Sequence, residues 1–239
     1  MEYKLMEWTD EKVRRYWDYI SLSPEHYFTY QVGGRLAAAL KKYIRQGKEL
    51  LDYGSGPGFL IRHLLDRGIN VTALEFSTNS LDQIRKTYAG KSGFRGAYSI
   101  EELQERKEKF DLITLIEVIE HLDDRYLELT FSNIKNLLAA DGILVVTTPN
   151  EEILENSYIL NPETNELFHR WQHVRRWDRQ ILGDFVTGKG FRVVEIGATN
   201  FNLSPLRKLL RLPKKTLKKI LGMKSSKDQP HLYCVCSLT

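Results

Sequence analysis

The sequence predicts an α/β fold built on a doubly wound, mostly parallel sheet with helices on both faces. Short, nearly continuous apolar runs alternate with helical stretches through the middle of the chain. Apolar runs of this length are typical of strands that are buried on both faces, as in a parallel sheet. A glycine-rich loop follows the first run and opens a helix, as at a ligand-binding strand end. Together these observations favour a β-α-β-α order and a parallel sheet.

The strands and helices are predicted in the following order. Strands are predicted at 48–53, 70–75, 110–116, 142–148, 191–197 and 231–238. Helices are predicted at 33–46, 58–67, 78–89, 125–139 and 178–189. Asp178 favours the start of the last helix because its side chain can accept from the free N–H groups there.

Three segments interrupt this order. Residues 1–32 hold eight of the 26 aromatic residues and are expected to pack as an N-terminal cap on a catalytic domain at 33–239. Residues 150–177 are far longer than the ~2 to 6 residues that usually join a strand to a helix, so we expect a substrate lid there. Residues 203–230 form a leucine-rich, basic segment before the last strand.

Charge is concentrated in that segment. The 239 residues carry a formal charge of +4, with 42% hydrophobic and 28% charged residues, a composition that excludes disorder, fibre and coiled coil. Residues 206–227 contain nine basic and no acidic side chains. Pro213 is expected to divide two amphipathic helices there, which could contact an anionic membrane surface or a phosphate-bearing substrate, or form a solvated face. Nucleic acid is not expected, because no RNA-binding module is recognised.

A cytoplasmic location is expected. No apolar run reaches the ~18 residues of a membrane span, and the first ten residues lack the basic-then-apolar layout of a signal peptide. Cys234 and Cys236 are two residues apart in a strand-like run, where side chains on one face are poorly placed to bridge each other, so both are expected to be free thiols, as in a reducing compartment.

The glycine loop at 52–58 favours a nucleoside ligand without phosphates. Phe59 stands where a dinucleotide-binding loop would carry its third glycine. Pro57 removes a backbone N–H that would otherwise donate to a pyrophosphate. Asp52 would repel a phosphate but suits a ligand with a cationic amino group.

Glu75 ends the second strand, 21 residues after Gly54. An acidic residue at this place in such folds accepts hydrogen bonds from ribose hydroxyls. The loop and Glu75 together predict an adenosine-type ligand. Phe76, the next residue in the chain, is expected to contact it.

The chain resembles the class I S-adenosylmethionine-dependent methyltransferases over about residues 33–198. The matching residues are 52–58, Glu75, 111–117 and 147–150. The resemblance implies a Rossmann-like sheet of seven strands whose last strand, 231–238, is antiparallel. It also implies S-adenosylmethionine as the cofactor.

Eleven residues are predicted to bind this cofactor. They are Arg35, Asp52, Gly54, Ser55, Gly56, Gly58, Glu75, Phe76, Ser99, Ile100 and Glu117. Ser99 stands where the family often has an acidic residue that contacts adenine. Arg35 lies close to where the ubiquinone-biosynthesis O-methyltransferases carry an arginine for the cofactor's carboxylate, although an exposed helical arginine is an equal alternative.

An acidic and histidine-rich run, 117–122, follows the fourth strand and is expected beside the cofactor's methyl group. Methyl transfer needs an aligned nucleophile and, for a hydroxyl, removal of its proton. His121 is a candidate general base because its pKa is ordinarily near neutral. His173, at the end of the predicted lid, is expected to fold back over the same crevice.

Three interpretations of these residues remain open. Glu117, Glu120, His121 and His173 could bind a divalent metal, since their spacing resembles that of the small-RNA 3′-terminal 2′-O-methyltransferases and, in part, that of the ubiquinone-pathway enzymes. Without a metal, the two histidines could act as a base or orient the substrate. Alternatively, the histidines only cap helices or stack on neighbouring tryptophans.

The sequence therefore predicts an S-adenosylmethionine-dependent methyltransferase. The expected acceptor is an oxygen, or alternatively a nitrogen, of a small molecule or a sugar or glycan precursor that carries phosphate or a lipid. The alternatives are a metal-dependent RNA 2′-O-methyltransferase and a non-catalytic S-adenosylmethionine-binding protein that docks a partner.

Overall fold

The computed structural model describes residues 3–202 and 229–239. The strands are β1 (Lys4–Leu5), β2 (Glu49–Tyr53), β3 (Asn70–Leu74), β4 (Phe94–Tyr98), β5 (Phe110–Ile116), β6 (Leu138–Pro149), β7 (Tyr158–Asn161), β8 (Glu166–His169), β9 (Phe191–Thr199) and β10 (His231–Leu238). The α-helices are α1 (Asp10–Ile20), α2 (Phe28–Leu40), α3 (Phe59–Leu65), α4 (Thr78–Tyr88), α5 (Ile100–Arg106), α6 (Asp124–Leu137) and α7 (Arg179–Gly188).

Seven strands form the main sheet in the order β4-β3-β2-β5-β6-β10-β9. The pairs from β4 to β6 are parallel, whereas β10 is antiparallel to both of its neighbours. From β2 the chain adds strands outward to one side of the sheet (β3, β4) and then to the other side, beginning with β5. This change of side places a topological switch point at the carboxyl ends of β2 and β5. This architecture confirms the predicted doubly wound, seven-stranded and mostly parallel sheet.

The sheet is buried on both faces. Leu50 and Leu51 are adjacent in β2, and both are fully buried, one in each of the two hydrophobic clusters. Alternate residues of a strand point to opposite faces, so one short apolar run contributes to both clusters. Helices α2, α3 and α4 contribute to one cluster, and α5, α6 and α7 contribute to the other.

Several predicted bounds need correction. The helix predicted at 33–46 is α2, which begins at Phe28 and ends at Leu40, so the expected boundary between residues 32 and 33 falls inside a helix. Strand β4 was not predicted, because Arg95 and Gly96 interrupt its apolar pattern. Helix α5 follows it directly and was not predicted either.

The N-terminal residues and the 150–177 segment share a small second sheet. Strand β1 pairs in parallel with β8, and β8 pairs antiparallel with β7. The backbone N–H of Met6 also donates to the Leu167 carbonyl, at 2.8 Å. The long connection after β6 therefore has its own strands, and the start of the chain is joined to it.

Within residues 3–202 and 229–239, none of the helices has both the length and the apolar character needed to cross a membrane. The predicted membrane contact at 206–227 and the two amphipathic helices around Pro213 lie outside the described residues. Cys234 and Cys236 are buried free thiols whose sulfur atoms lie 3.3 Å apart.

Candidate active site

The glycine loop connects β2 to α3 through three residues in the left-handed region. Gly54, Gly56 and Gly58 have φ angles of +76°, +53° and +84°. Residues with a Cβ rarely adopt this conformation, which explains why the sequence carries glycine at each position. Gly58 is also the N-cap of α3.

The loop is enclosed on two sides. A Cβ at Gly54 would lie 2.8 Å from Cγ2 of Val118, and a Cβ at Gly56 would lie 2.9 Å from Cε1 of Tyr27. Val118 belongs to the acidic and histidine-rich run after β5, and Tyr27 precedes α2. The glycines therefore allow both the 117–122 run and an aromatic residue of the cap to approach the loop backbone.

Asp52 is buried at the carboxyl end of β2, with 3% of its surface exposed. Its Oδ1 accepts a hydrogen bond from Oγ1 of Thr114 on the neighbouring strand β5, at 2.9 Å. Burial raises the pKa of Asp52 to about 6; the Thr114 hydrogen bond opposes this shift and the nearby Glu75 adds to it. The site therefore has a carboxylate without a cationic partner among its described contacts.

Glu75 is equally buried, at the end of β3, and is held by backbone donors. Its Oε2 accepts from Gly56 N at 2.8 Å, and its Oε1 accepts from Phe76 N at 2.9 Å and Ser77 N at 3.0 Å. Burial raises the pKa of Glu75, although these three hydrogen bonds lower it. Asp52 and Glu75 thus form a buried acidic pair around the glycine loop.

Ser99 and Ile100, predicted to hold adenine, begin α5. Ser99 is its N-cap and forms a capping box with Glu102, and its hydroxyl donates to Glu101 at 2.8 Å. Ile100 packs against one of the two hydrophobic clusters. The Ser99 hydroxyl is therefore engaged at the start of the helix, and an adenine contact from this residue stays a prediction.

Phe76 and Arg35 lie at the surface. The Phe76 side chain is 61% exposed next to the buried Glu75. Arg35 is on α2 and donates through Nη1 to the backbone carbonyl of Phe201, at 3.0 Å. Contacts of Phe76 and Arg35 with the cofactor remain predictions.

Glu117 does not belong to the group that Glu120, His121 and His173 form. Its backbone has a left-handed φ of +50°, and its Oε1 accepts from Oγ1 of Thr147 at 2.8 Å. Its Oε2 lies 3.3 Å from Nδ1 of His231, whose ring packs against Phe28. In this structure Glu117 therefore contacts the ends of β6 and β10 and not the other three residues predicted to bind a metal.

Glu120, His121 and His173 come together as predicted. One nitrogen or oxygen from each lies within 4.8 Å of the others, and the two imidazole rings are 4.8 Å apart. Burial and the nearby Glu117 raise the pKa of Glu120 well above its usual value, whereas burial and His173 lower that of His121. Oε1 of Glu120 and Nδ1 of His121 are buried without a hydrogen-bond partner among the described residues.

The structure adds Glu152 and His169, which were not predicted. Oε2 of Glu152 lies 2.5 Å from Nδ1 of His173, and its Oε1 lies 3.4 Å from Nε2 of His169. Burial opposes ionisation, yet the close contacts with His169 and His173 lower the pKa of Glu152 to about 2. The 3.4 Å contact is an ion-pair distance, not a well-directed hydrogen bond. The only sequence feature that could have pointed to this contact is the spacing of four residues between His169 and His173.

The cap covers this histidine cluster, by which we mean Glu120, His121, Glu152, His169 and His173. The indole of Trp17 lies 4.9 Å from the His121 ring and donates to Oε1 of Gln172, at 3.0 Å. Gln172 in turn donates to the His121 carbonyl, at 3.0 Å. The cap and the predicted lid are thus joined above the run that contacts the glycine loop.

Comparison with known proteins identifies the family. A family model described as a methyltransferase domain matches residues 25–196 of the 239. The chain belongs to this methyltransferase family. The predicted class I S-adenosylmethionine-dependent methyltransferase is thereby confirmed, with the glycine loop and both of its acids inside the matched range.

Two similar sequences are ubiquinone biosynthesis O-methyltransferases. The one from Actinobacillus pleuropneumoniae is 36% identical over 115 residues, covering 45% of this chain and 48% of that protein. The one from Azorhizobium caulinodans is 28% identical over 166 residues, covering 67% of this chain and 61% of that protein. The methyltransferase thus spans about half to three fifths of the length of these relatives.

A similar solved structure is the 1,6-didemethyltoxoflavin-N1-methyltransferase of Burkholderia thailandensis, with bound 1,6-didemethyltoxoflavin and S-adenosylhomocysteine. The TM-score is 0.66 at 16% identity, over 100% of this methyltransferase and 93% of that chain. This likeness shows a shared fold.

Proposed function

We propose that the protein transfers a methyl group from S-adenosylmethionine to an oxygen of a small-molecule acceptor. The observation that carries this proposal is that Val118 packs on Gly54 while His121, three residues later, lies in a partly buried histidine cluster. A cofactor loop and a group able to accept a proton are thus joined by one short run of chain. The similarity to ubiquinone biosynthesis O-methyltransferases supports oxygen as the acceptor atom.

The acidic pair fits the cofactor. S-Adenosylmethionine supplies an electrophilic methyl group on a positively charged sulfur and also carries an ammonium group. Asp52 and Glu75 are buried and lack a cationic partner among the described residues. We assign Asp52 to the ammonium group and Glu75 to the ribose hydroxyls, since carboxylates accept such charge-assisted hydrogen bonds.

The histidine cluster is suited to orient the acceptor and to accept its proton. A lowered pKa leaves His121 neutral at pH 7, so that it can accept a proton from a hydroxyl as the oxygen attacks. Trp17 and Gln172 contact His121 on the side of the N-terminal cap. His121 and His173 then orient the acceptor and receive its proton, which is worth about 10²- to 10⁴-fold in rate for such groups.

A divalent cation also fits the cluster. Glu120, His121 and His173 offer one oxygen and two imidazoles, and the buried Oε1 of Glu120 and Nδ1 of His121 lack partners among the described residues. In this alternative the three residues would hold the ion, the two imidazoles would be ligands and not proton acceptors, and the ion would lower the pKa of an acceptor hydroxyl. Calorimetry on chelator-stripped protein with Mg²⁺, Mn²⁺ and Zn²⁺ tests this. Binding that is lost in Glu120→Gln and kept in the exposed Glu151→Gln supports the site, and no binding by the wild type refutes it.

The acceptor is tested with S-adenosylmethionine that carries a deuterated methyl group. The enzyme and this cofactor are incubated with cell extract, and small molecules and RNA are analysed separately by mass spectrometry. A small molecule that gains a deuterated O-methyl group supports the proposal. Label only on RNA supports the RNA alternative, and label on nitrogen changes the acceptor atom. Cofactor binding without any S-adenosylhomocysteine formation would indicate a non-catalytic protein.

A further inference from the structure

His173 is held on one side by two residues that no motif predicted. We propose that Glu152 and His169 are positioning residues that fix the orientation and tautomer of His173, so that its Nε2 is presented to His121 and the acceptor. This inference rests on the proposed function, since it assigns the support of one of the acceptor-facing groups.

The Glu152 carboxylate serves both histidines. Oε2 faces Nδ1 of His173 at 2.5 Å, and Oε1 faces Nε2 of His169 at 3.4 Å. An ionised carboxylate only accepts hydrogen bonds, so the proton of this contact belongs to Nδ1 of His173. In the neutral imidazole the other nitrogen, Nε2, is then free to accept a proton or bind a cation.

His169 is fixed in turn by the backbone. Its Nδ1 accepts from the N–H groups of Trp171 and His173, both at 3.2 Å, and its side chain is only 1% exposed. Because Nδ1 accepts, the neutral ring carries its proton on Nε2, which faces Glu152. The His169 and His173 rings stack at 4.4 Å with an 18° angle between their planes. His173 therefore has neither a free Nδ1 nor a free face towards His169.

The backbone on both sides of this contact is also unusual. Glu151, just before Glu152, has a φ of +51°, and Gln172, just before His173, has a φ of +60°. Non-glycine residues adopt this region rarely and at a cost, and such positions cluster at functional sites. The Glu151 N–H donates to the Trp177 carbonyl at 2.8 Å, which joins the start of the 150–177 segment to its end. Glu152 is thereby directed towards His173 from a fixed turn.

A carboxylate behind a histidine has a known physical effect. It orients the ring, selects the tautomer and makes the opposite nitrogen more basic, and loss of such a partner commonly lowers activity or metal affinity by about 10- to 100-fold. Glu152→Ala should therefore lower methyl transfer by about 10- to 100-fold. Cofactor affinity should stay within about twofold, because the glycine loop and its acids do not contact Glu152.

The direct test is the tautomer of His173. Full-length protein labelled with ¹⁵N in histidine is studied by long-range ¹H–¹⁵N NMR at a pH at which the histidines are neutral, with His173→Asn assigning the signal. In the wild type, Nδ1 of His173 should carry the proton. In Glu152→Ala the proton should move largely to Nε2, whereas Glu152→Gln, which keeps an acceptor oxygen, should retain part of the wild-type signal. Glu163→Ala, at an exposed position of the same 150–177 segment, is the matched control and should change neither the signal nor the activity.

Two results would overturn the proposal. One is a wild-type His173 with its proton on Nε2, a measurement that needs no variant to fold. The other is an unchanged tautomer in Glu152→Ala. Failure of the proposed function looks different, since the tautomer would then respond as expected while no O-methylated product is found.

Discussion

The glycine loop and the histidine cluster meet at the 117–122 run but are built in opposite ways. The loop and both of its acids come from 25 consecutive residues, 52–76, and backbone N–H groups hold Glu75. The cluster combines side chains from 120–121, 152 and 169–173, which contact one another. One part is a local chain conformation, whereas the other exists only after the chain has folded.

Their electrostatics differ as well. Burial raises the pKa of Asp52 to about 6 and also raises that of Glu75. By contrast, Glu152 is ionised beside two histidines, which lower its pKa to about 2 although burial opposes this. The acids of the loop therefore lack a cationic partner among the described residues and favour a cationic ligand, while Glu152 is already paired with histidines of the protein. Under the proposed function, this difference assigns cofactor binding to the loop and acceptor chemistry to the cluster.

The largest expected effect concerns the cluster. His121→Asn or His173→Asn should lower methyl transfer by about 10²- to 10⁴-fold through loss of acid–base catalysis. Binding of S-adenosylhomocysteine, measured by calorimetry, should change by less than about twofold, since neither side chain belongs to the loop. His63→Asn is the matched control, because His63 lies on α3 and packs against Gly33. Equal losses in binding and turnover would mean that the two regions are not separate.

The next effect concerns the loop. Asp52→Asn should weaken S-adenosylmethionine binding by about 10- to 150-fold, the value of a hydrogen bond to a charged group of about 1.5 to 3 kcal/mol. Asp111→Asn is the control, because Asp111 forms a salt bridge with Lys48 at the other end of the strands. Unchanged affinity in Asp52→Asn would refute the assignment of Asp52 to the ammonium group.

A pH effect of about tenfold should follow from the same carboxyl group. With a pKa of about 6, Asp52 is mostly protonated at pH 5 and ionised at pH 7, so cofactor affinity should rise about tenfold between them. Stability of the free protein should change in the opposite direction. Because the folded pKa exceeds the unfolded one, the folded state binds more protons between about pH 4 and 6, and stability falls as pH rises through this range. Both trends should be flatter in Asp52→Asn.

The smallest effect concerns the cap. Trp17→Phe removes the indole N–H that donates to Gln172 at 3.0 Å but keeps an aromatic ring near His121. We expect a loss of about 0.5 to 1.5 kcal/mol in the free energy of unfolding, measured by denaturant titration. Faster amide exchange confined to 169–174 would show that this bond holds the cap on the cluster. No change in either measurement would show that the aromatic packing alone does so.

Much of the fold and the whole glycine loop could be predicted from the sequence, because their signals are local. Each strand of the central sheet except β4 is a short apolar run, and Gly54, Gly56 and Gly58 occupy positive φ angles that other residues avoid. Strand β4 escaped prediction because pairing with β3, and not an apolar pattern of its own, specifies it.

The cluster could be predicted only in part. His121 and His173 were predicted from residue type, but nothing local relates Glu152 to His173, 21 residues later. Likewise, a left-handed backbone at Glu117 directs its side chain to Thr147 and His231, which the spacing of the 117–122 run could not show. These contacts depend on the packing of distant segments, so they follow from the fold and not from the motif.

The separation of cofactor binding from acceptor chemistry is tested most directly by one paired measurement. Asp52→Asn and His173→Asn are each assayed for S-adenosylhomocysteine affinity and for transfer of a deuterated methyl group at saturating cofactor. We predict that Asp52→Asn loses affinity and recovers much of its transfer at saturation, whereas His173→Asn keeps its affinity and loses transfer. The opposite pattern, or the same loss of affinity in both variants, would contradict this account.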